Sequence, residues 1–230
     1  MREIRLDKLI GLLLFSIIAV RSRQTLSDVP SQKASLRTLL LQRRERLSPE
    51  AVHQKSEAIR QQLFTLDEFR AAGLIHFYIS MGREVETLPM IQAALALRKR
   101  VVVPVVVPES MDLLLSELSK DSLLVPGPRG TLQPRADQIH PIQMNEVDLM
   151  LVPGVAFDRY GHRLGRGFGY FDRLLSQSFK KPMPIIALAY ELQLVEDVPV
   201  TDQDRTVDKI VTEDRVIDCW ADRALNRNKI

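Results

Sequence analysis

The chain has 230 residues, 45% of them hydrophobic, which is enough apolar surface for a sizeable core and argues against a disordered chain or several domains. Its net charge of +3, from 32 basic and 29 acidic residues that are interspersed, gives little support for a nucleic-acid partner and suits an anionic small molecule better. One cysteine excludes an internal disulfide, and four scattered histidines without H-E-x-x-H or C-x-x-C leave no transition-metal motif, so a cytoplasmic protein is expected.

In chain order, the first feature is an apolar run, Leu9–Val20, between basic flanks. It is too short to span a bilayer, and Val20-Arg21-Ser22-Arg23 is a poor cleavage site. Three readings stay open: an over-long start of the reading frame, a targeting or membrane-association segment that would make the protein organellar or membrane-associated, or a helix packed on the domain. Residues 1–30 are therefore set apart as an extension, 31–222 as one α/β domain and 223–230 as a tail, with no stable membrane insertion expected.

From Ser31 to Leu63 apolar residues recur at helical spacing (Leu36, Leu39, Leu40, Leu47, Val52, Ile59, Leu63). Ser48-Pro49-Glu50, a good helix start, divides them into two amphipathic helices. Gly73–Ser80 reads as a short buried strand, Thr87–Arg98 as a helix with Thr87 as N-cap, and Arg100–Val107 as a β-branched strand: one βαβ unit. Asp112–Leu118 can add a strand, whereas Pro126–Pro141, with four prolines and two glycines, predicts a long loop with little regular structure. Asp148–Val152 and Pro184–Tyr190 read as buried strands around a helix that begins near Gly169, and Lys209–Val211 and Val216–Ile217 as short late strands. This alternation predicts a single-domain, three-layer α/β sandwich with a mainly parallel central sheet. Ligands would then bind beyond the carboxyl ends of the strands.

The segment Val152–Leu175 carries the chemistry. An apolar strand runs into a loop with three alternate glycines, Gly165, Gly167 and Gly169, flanked by Arg163 and Arg166, and then opens a helix. Glycines let backbone N–H groups approach an anion, and arginines neutralise it. Two familiar phosphate motifs fail, since a dinucleotide fingerprint would need glycine at Tyr170 and no G-x-x-x-x-G-K-[ST] exists. Asp172, just after the glycines, makes most sense beside phosphate arginines if a divalent metal is bound. Spacing alone supports phosphate and metal binding and goes no further.

At these residues the chain resembles the 5-formyltetrahydrofolate cyclo-ligase family. That family's pattern, roughly P-G-x-A-F-D-x-x-G-x-R-L-G-x-G-x-G-Y-Y-D, is met by Pro153-Gly154, Ala156-Phe157-Asp158, Gly161, Arg163-Leu164-Gly165, Gly167, Gly169-Tyr170 and Asp172. Lys33-x-x-x-Arg37, the segment from Tyr78 to Thr87, and Asp204 to Asp208 through Glu213 agree in order, so the likeness runs from Lys33 to about Asp218. Phe168 and Phe171 depart from it, standing where relatives often carry lysine or glycine and a second tyrosine.

The resemblance implies ATP-dependent, magnesium-dependent cyclisation of 5-formyltetrahydrofolate to 5,10-methenyltetrahydrofolate. It assigns Lys33, Arg37 and Arg163 through Phe171 (Arg163, Leu164, Gly165, Arg166, Gly167, Phe168, Gly169, Tyr170, Phe171) to ATP. Ile79 and Glu84, with Arg166 through Tyr170, fall to the folate, Arg166 and Tyr170 to the catalytic centre, and Asp172 and Asp204 to magnesium. Glu86 can exchange roles with Glu84. Arg43, Arg44 and Arg46 match nothing in the family pattern and are expected to face solvent. The expected partners are 5-formyltetrahydrofolate and ATP, without nucleic acid, in a monomer or weak homodimer. A rival reading is a non-catalytic folate- or nucleotide-binding regulatory module of the same fold, for which Phe168 and Phe171 are the best support.

Overall fold

The computed structural model describes residues 28–107, 113–167, 169–176, 183–219 and 221; the apolar run 9–20 and the tail 223–230 lie outside them. Helix α1 is helical from residue 28 to 45, and α2 follows over Pro49–Thr65. The break between them follows the sequence: Ser48 is the N-cap of α2, its side chain accepts the Ala51 N–H at 3.1 Å, and Pro49 opens the first turn. A short α3 (Asp67–Ala71) leads into β1 (Leu74–His76), α4 (Leu88–Ala96), β2 (Arg100–Val106) and β3 (Leu113–Leu118).

The stretch expected to be a long loop holds more order than its prolines suggested. It contains a small hairpin of β4 (Leu124–Pro126) and β5 (Leu132–Pro134), then β6 (Pro141–Ile142). The strands are two or three residues long, so the prolines fall at their ends, where a missing N–H costs little. After β7 (Leu149–Val152) comes a second hairpin, β8 (Ala156–Phe157) with β9 (Arg163–Leu164), then α5 (Tyr170–Ser176), β10 (Ile185–Leu188), β11 (Lys209–Val211) and β12 (Val216–Asp218).

Eight strands form one sheet in the order β12-β11-β10-β7-β1-β2-β3-β6. The five central strands, from β11 to β2, are parallel, and β12 on one edge and β3 with β6 on the other are antiparallel. Strand alternation divides the buried residues between the two faces. Ile75, Val101, Val103, Leu149, Leu151, Ile186 and Leu188 pack with Ile59 and Leu63 of α2, Phe69 of α3 and Met90 and Ile91 of α4. Leu74, Val102, Met150, Val152, Ala187 and Ile210 pack with Leu174 and Leu175 of α5. The result is the expected three-layer sandwich, and it brings the carboxyl ends of β1 and β7 side by side. No helix among the described residues is long and apolar enough to cross a membrane.

Candidate active site

Two loops leave the adjacent strands β1 and β7 and meet in front of the sheet. The first runs from Phe77 to Thr87. Its turn is closed by Glu84, whose N–H donates to the Met81 carbonyl at 3.1 Å while its Oε2 accepts the Met81 N–H at 2.9 Å. Gly82 between them has φ +57°, a conformation that only glycine adopts at no cost. Thr87 is at the N-cap position of α4 as expected, yet it does not cap the helix. Its hydroxyl donates to the Tyr78 carbonyl at 2.6 Å and accepts the Ser80 N–H at 3.0 Å, closing the base of the loop. From the far side the Tyr190 hydroxyl donates to the Glu84 carbonyl at 3.0 Å. Burial drives the Tyr78 hydroxyl well above its ordinary pKa and that of Tyr190 up to about 12, so both remain protonated donors.

The second loop is built on the β8–β9 hairpin. Asp158, fully buried, holds that hairpin by accepting the N–H groups of Tyr160, His162 and Val198 and the Nδ1 of His162, all within 3.1 Å. Arg163 leaves β9 into the interior at 4% exposure, ion-paired with Asp172 at the start of α5 and hydrogen-bonded to the Pro153 carbonyl. Burial lowers the pKa of its guanidinium, and Asp172 and then Asp204 oppose that shift, so both proposed metal carboxylates act on this one cation. The glycines answer to arginines. A Cβ on Gly165 would lie 3.2 Å from Arg163 Nη1, and one on Gly167, at φ +99°, would sit against Arg37 Cζ at 3.5 Å.

Helix α1 supplies the third side. Lys33, Arg37, Leu40 and Arg44 fall at spacings of four, three and four, and so lie along one stripe. Lys33 Nζ pairs with Asp204 at 2.5 Å, Arg37 Nε donates to the Gly165 carbonyl at 2.9 Å, and Leu40 is buried in a cluster with Val155, Ala156, Leu164 and Val198. Burial works to raise the Asp204 carboxyl, but the hydrogen bonds from Lys33 and Thr201 outweigh it and hold the group below its ordinary pKa. Arg44 overturns the expectation of a solvent-facing side chain. It is 2% exposed, its Nη1 reaches the Gly154 carbonyl at 3.4 Å, and its Nη2 lies 4.0 Å from Glu84 Oε1. The missed signal was position: Arg44 continues the Lys33–Arg37 stripe two turns further on. By the same geometry Leu39, off the stripe, is 45% exposed and not part of the core.

Between the loops lies a cleft of ≈ 440 Å³. Ile79, Glu84, Arg163, Gly165, Arg166, Gly169, Tyr170, Phe171 and Asp172 line it, so the residues singled out from two distant segments do converge. Arg166 spans it, with Nε at 3.0 Å and Nη2 at 2.9 Å from Glu84 Oε1. Lys33, Arg37, Leu164, Gly167 and Asp204 do not line the cleft. Arg37 adjoins it through the Gly165 carbonyl, Lys33 and Asp204 pair with each other, and the Leu164 side chain faces the core. Phe168 lies outside the described residues. Glu86 turns away, pairing with His53 on the surface, so of the two glutamates Glu84 lines the cleft. An opposing apolar wall of Pro104, Val106, Leu113, Pro128 and Leu132 was not foreseen; it comes from β2, from the start of β3 and from the unexpected β4–β5 hairpin. Phe171 packs against both core clusters, edge-on to His76 at 6.0 Å, with the Arg163 guanidinium 5.9 Å from its ring. Its ring is a structural wall there.

Comparison with known proteins identifies the family. The model of the 5-formyltetrahydrofolate cyclo-ligase family matches residues 29–213. The 5-formyltetrahydrofolate cyclo-ligase of Escherichia coli K12 is 30% identical over 179 residues, covering 77% of this chain and 98% of that protein, and the mouse protein of the same name is 31% identical, covering 81% and 96%. Among solved structures, Aquifex aeolicus 5,10-methenyltetrahydrofolate synthetase superposes with a TM-score of 0.72 at 33% identity, over 81% of this chain and 92% of that one. With its matched span covering both cleft loops and the α1 stripe, the chain belongs to the 5-formyltetrahydrofolate cyclo-ligase family.

Proposed function

We propose that this protein is a cyclo-ligase that uses ATP to convert 5-formyltetrahydrofolate into 5,10-methenyltetrahydrofolate, ADP and phosphate. The observation that carries this reading is the Arg166–Glu84 contact at 2.9 Å, which joins the loop proposed for the phosphates to the loop proposed for the folate across one cleft. A formamide carbon is a poor electrophile because its oxygen is a poor leaving group. The formyl oxygen therefore attacks the γ-phosphorus, breaking the bond to ADP, and N10 then attacks the activated carbon, losing its proton as the carbon–oxygen bond breaks and phosphate leaves.

The protein's own groups orient and neutralise. Arg163, Arg166 and the glycine backbone are suited to the phosphates; from α1, Arg37 secures that loop and Lys33 secures Asp204. Glu84 is suited to the N–H edge of a pterin, with Ile79 and the apolar wall on its face. Asp172 and Asp204, hard oxygen donors beside Arg163, fit a magnesium ion that arrives with ATP, which would supply charge neutralisation at the phosphates. The reaction needs ATP and a reduced folate, and we place it in the cytoplasm.

The test is growth of the methenyl absorbance when protein, 5-formyltetrahydrofolate and Mg-ATP are mixed. Arg166→Ala and Asp172→Ala are each expected to lower the rate by about 100-fold or more, the usual loss when a group that stabilises transition-state charge is removed. Near-normal rates in both variants would refute the site assignment.

A further inference from the structure

Glu84 Oε1 is approached by two guanidinium groups of different character. Arg166 is half-exposed at 38% side-chain accessibility, on a loop between Gly165 and Gly167, and its contact with Glu84 spans open cleft. Arg44 is 2% exposed on a helix, anchored through Nη1 to the Gly154 carbonyl, with its Nη2 4.0 Å from the same oxygen, beyond the usual hydrogen-bond range. Its Nε and Nη2 have no hydrogen-bond partner. A buried cation with unmet donors is costly, and an apolar side chain would fill this position more cheaply if packing were all that it did. Burial lowers the Arg44 pKa, Glu84 opposes that shift and Arg166 adds to it, so the three groups feel one another.

We propose that Arg44 is a positioning residue that holds Glu84 as its resident counter-ion and thereby frees Arg166 to leave the carboxylate for an anionic ligand. Two cations share one anion, leaving a surplus positive charge that belongs to the mobile partner. The fixed parts are all in place: Glu84 Oε2 is held by the Met81 N–H, its carbonyl by Tyr190, and Arg44 by α1. When Arg166 moves onto a phosphate, a small approach of Arg44 keeps Glu84 paired and aimed into the cleft. Without Arg44, Arg166 is the sole counter-ion of a buried carboxylate and stays on it.

This inference rests on the reading of the Arg166 loop as a phosphate site, but its test does not use turnover. Binding of tripolyphosphate is measured by calorimetry. Arg44→Met is expected to weaken it about tenfold, a usual size for coupling between sites, and Arg44→Lys to retain most of the affinity. The decisive variant is Arg44→Met with Glu84→Gln, which removes the trap along with its counter-ion and should recover affinity to within a few-fold of wild type. A merely structural Arg44 predicts the opposite, since the double variant loses two packed groups. Unchanged affinity in Arg44→Met, no recovery in the folded double variant, or a wild type that binds no tripolyphosphate would each overturn the proposal. Wild-type protein that shows the expected pattern yet forms no methenyl product would refute the cyclo-ligase reading and leave the role of Arg44 standing.

Discussion

At the scale of single residues, His76 gives the protein a pH dependence that is independent of its chemistry. It ends β1, fully buried, with Nδ1 3.1 Å from the Leu151 carbonyl and Nε2 without a partner. Burial moves its pKa from 6.5 down to about 4. The folded protein thus keeps the ring neutral where the unfolded chain would take up a proton, and stability is full above pH 6.5 and falls as pH drops toward 4. The expected loss between pH 7 and pH 5 is about 2 kcal/mol. Urea melts of wild type and His76→Leu at the two pH values should show that this pH-dependent part disappears in the variant. A wild-type loss equal to that of the variant would dismiss His76 as its source. Nothing in the residue pattern hinted at this, because a histidine in an apolar run looks the same whether or not its second nitrogen finds a partner.

At the scale of elements, α1 does more than its amphipathic pattern suggested. Leu40 is its anchor, 1% exposed, and Lys33, Arg37 and Arg44 on either side reach three separate loops. Leu40→Ala is expected to cost about 2–5 kcal/mol, the usual price of a buried leucine truncated in place. Because the same stripe secures the glycine loop, the apparent KM for ATP should rise several-fold while the rate at saturating ATP changes less. Equal loss in both would mean that α1 only supports the fold. Helix boundaries were legible from Ser48-Pro49 and the periodicity, but the inward turn of Arg44 was not, since a charged residue between Arg43 and Arg46 looks solvated until its stripe is traced. The two small hairpins escaped for a different reason. Strands of two or three residues are too short to show alternation, and the β8–β9 pair depends on Asp158, whose partners at Val198 and His162 no local pattern reveals.

At the scale of the whole molecule, the sheet order was legible in outline because five parallel strands buried on both faces read as unbroken apolar runs. The strands at Leu113–Leu118 and Val216–Asp218 were expected too, but not their antiparallel pairing, which no local pattern specifies. The cleft predicts how ligands act on stability, since a bound ligand ties together lining segments that are far apart in the chain. Mg-ATP at about 100 times its dissociation constant should add roughly 2.7 kcal/mol and raise the melting temperature by about 5 °C or more, an effect that Arg166→Ala should remove. Thermal denaturation with and without nucleotide checks this, and equal shifts in both proteins would put the nucleotide elsewhere. The Lys33–Asp204 pair has one more consequence, for the order in which the protein matures. These residues are 171 positions apart, so during synthesis the opening helix waits for its partner until nearly the entire domain has emerged from the ribosome. A nascent chain cut short before that loop could pair β1, β2, β7 and β10 and still lack both β11 and the latch, which makes the docking of the amino end of α1 a late event in the maturation of the fold.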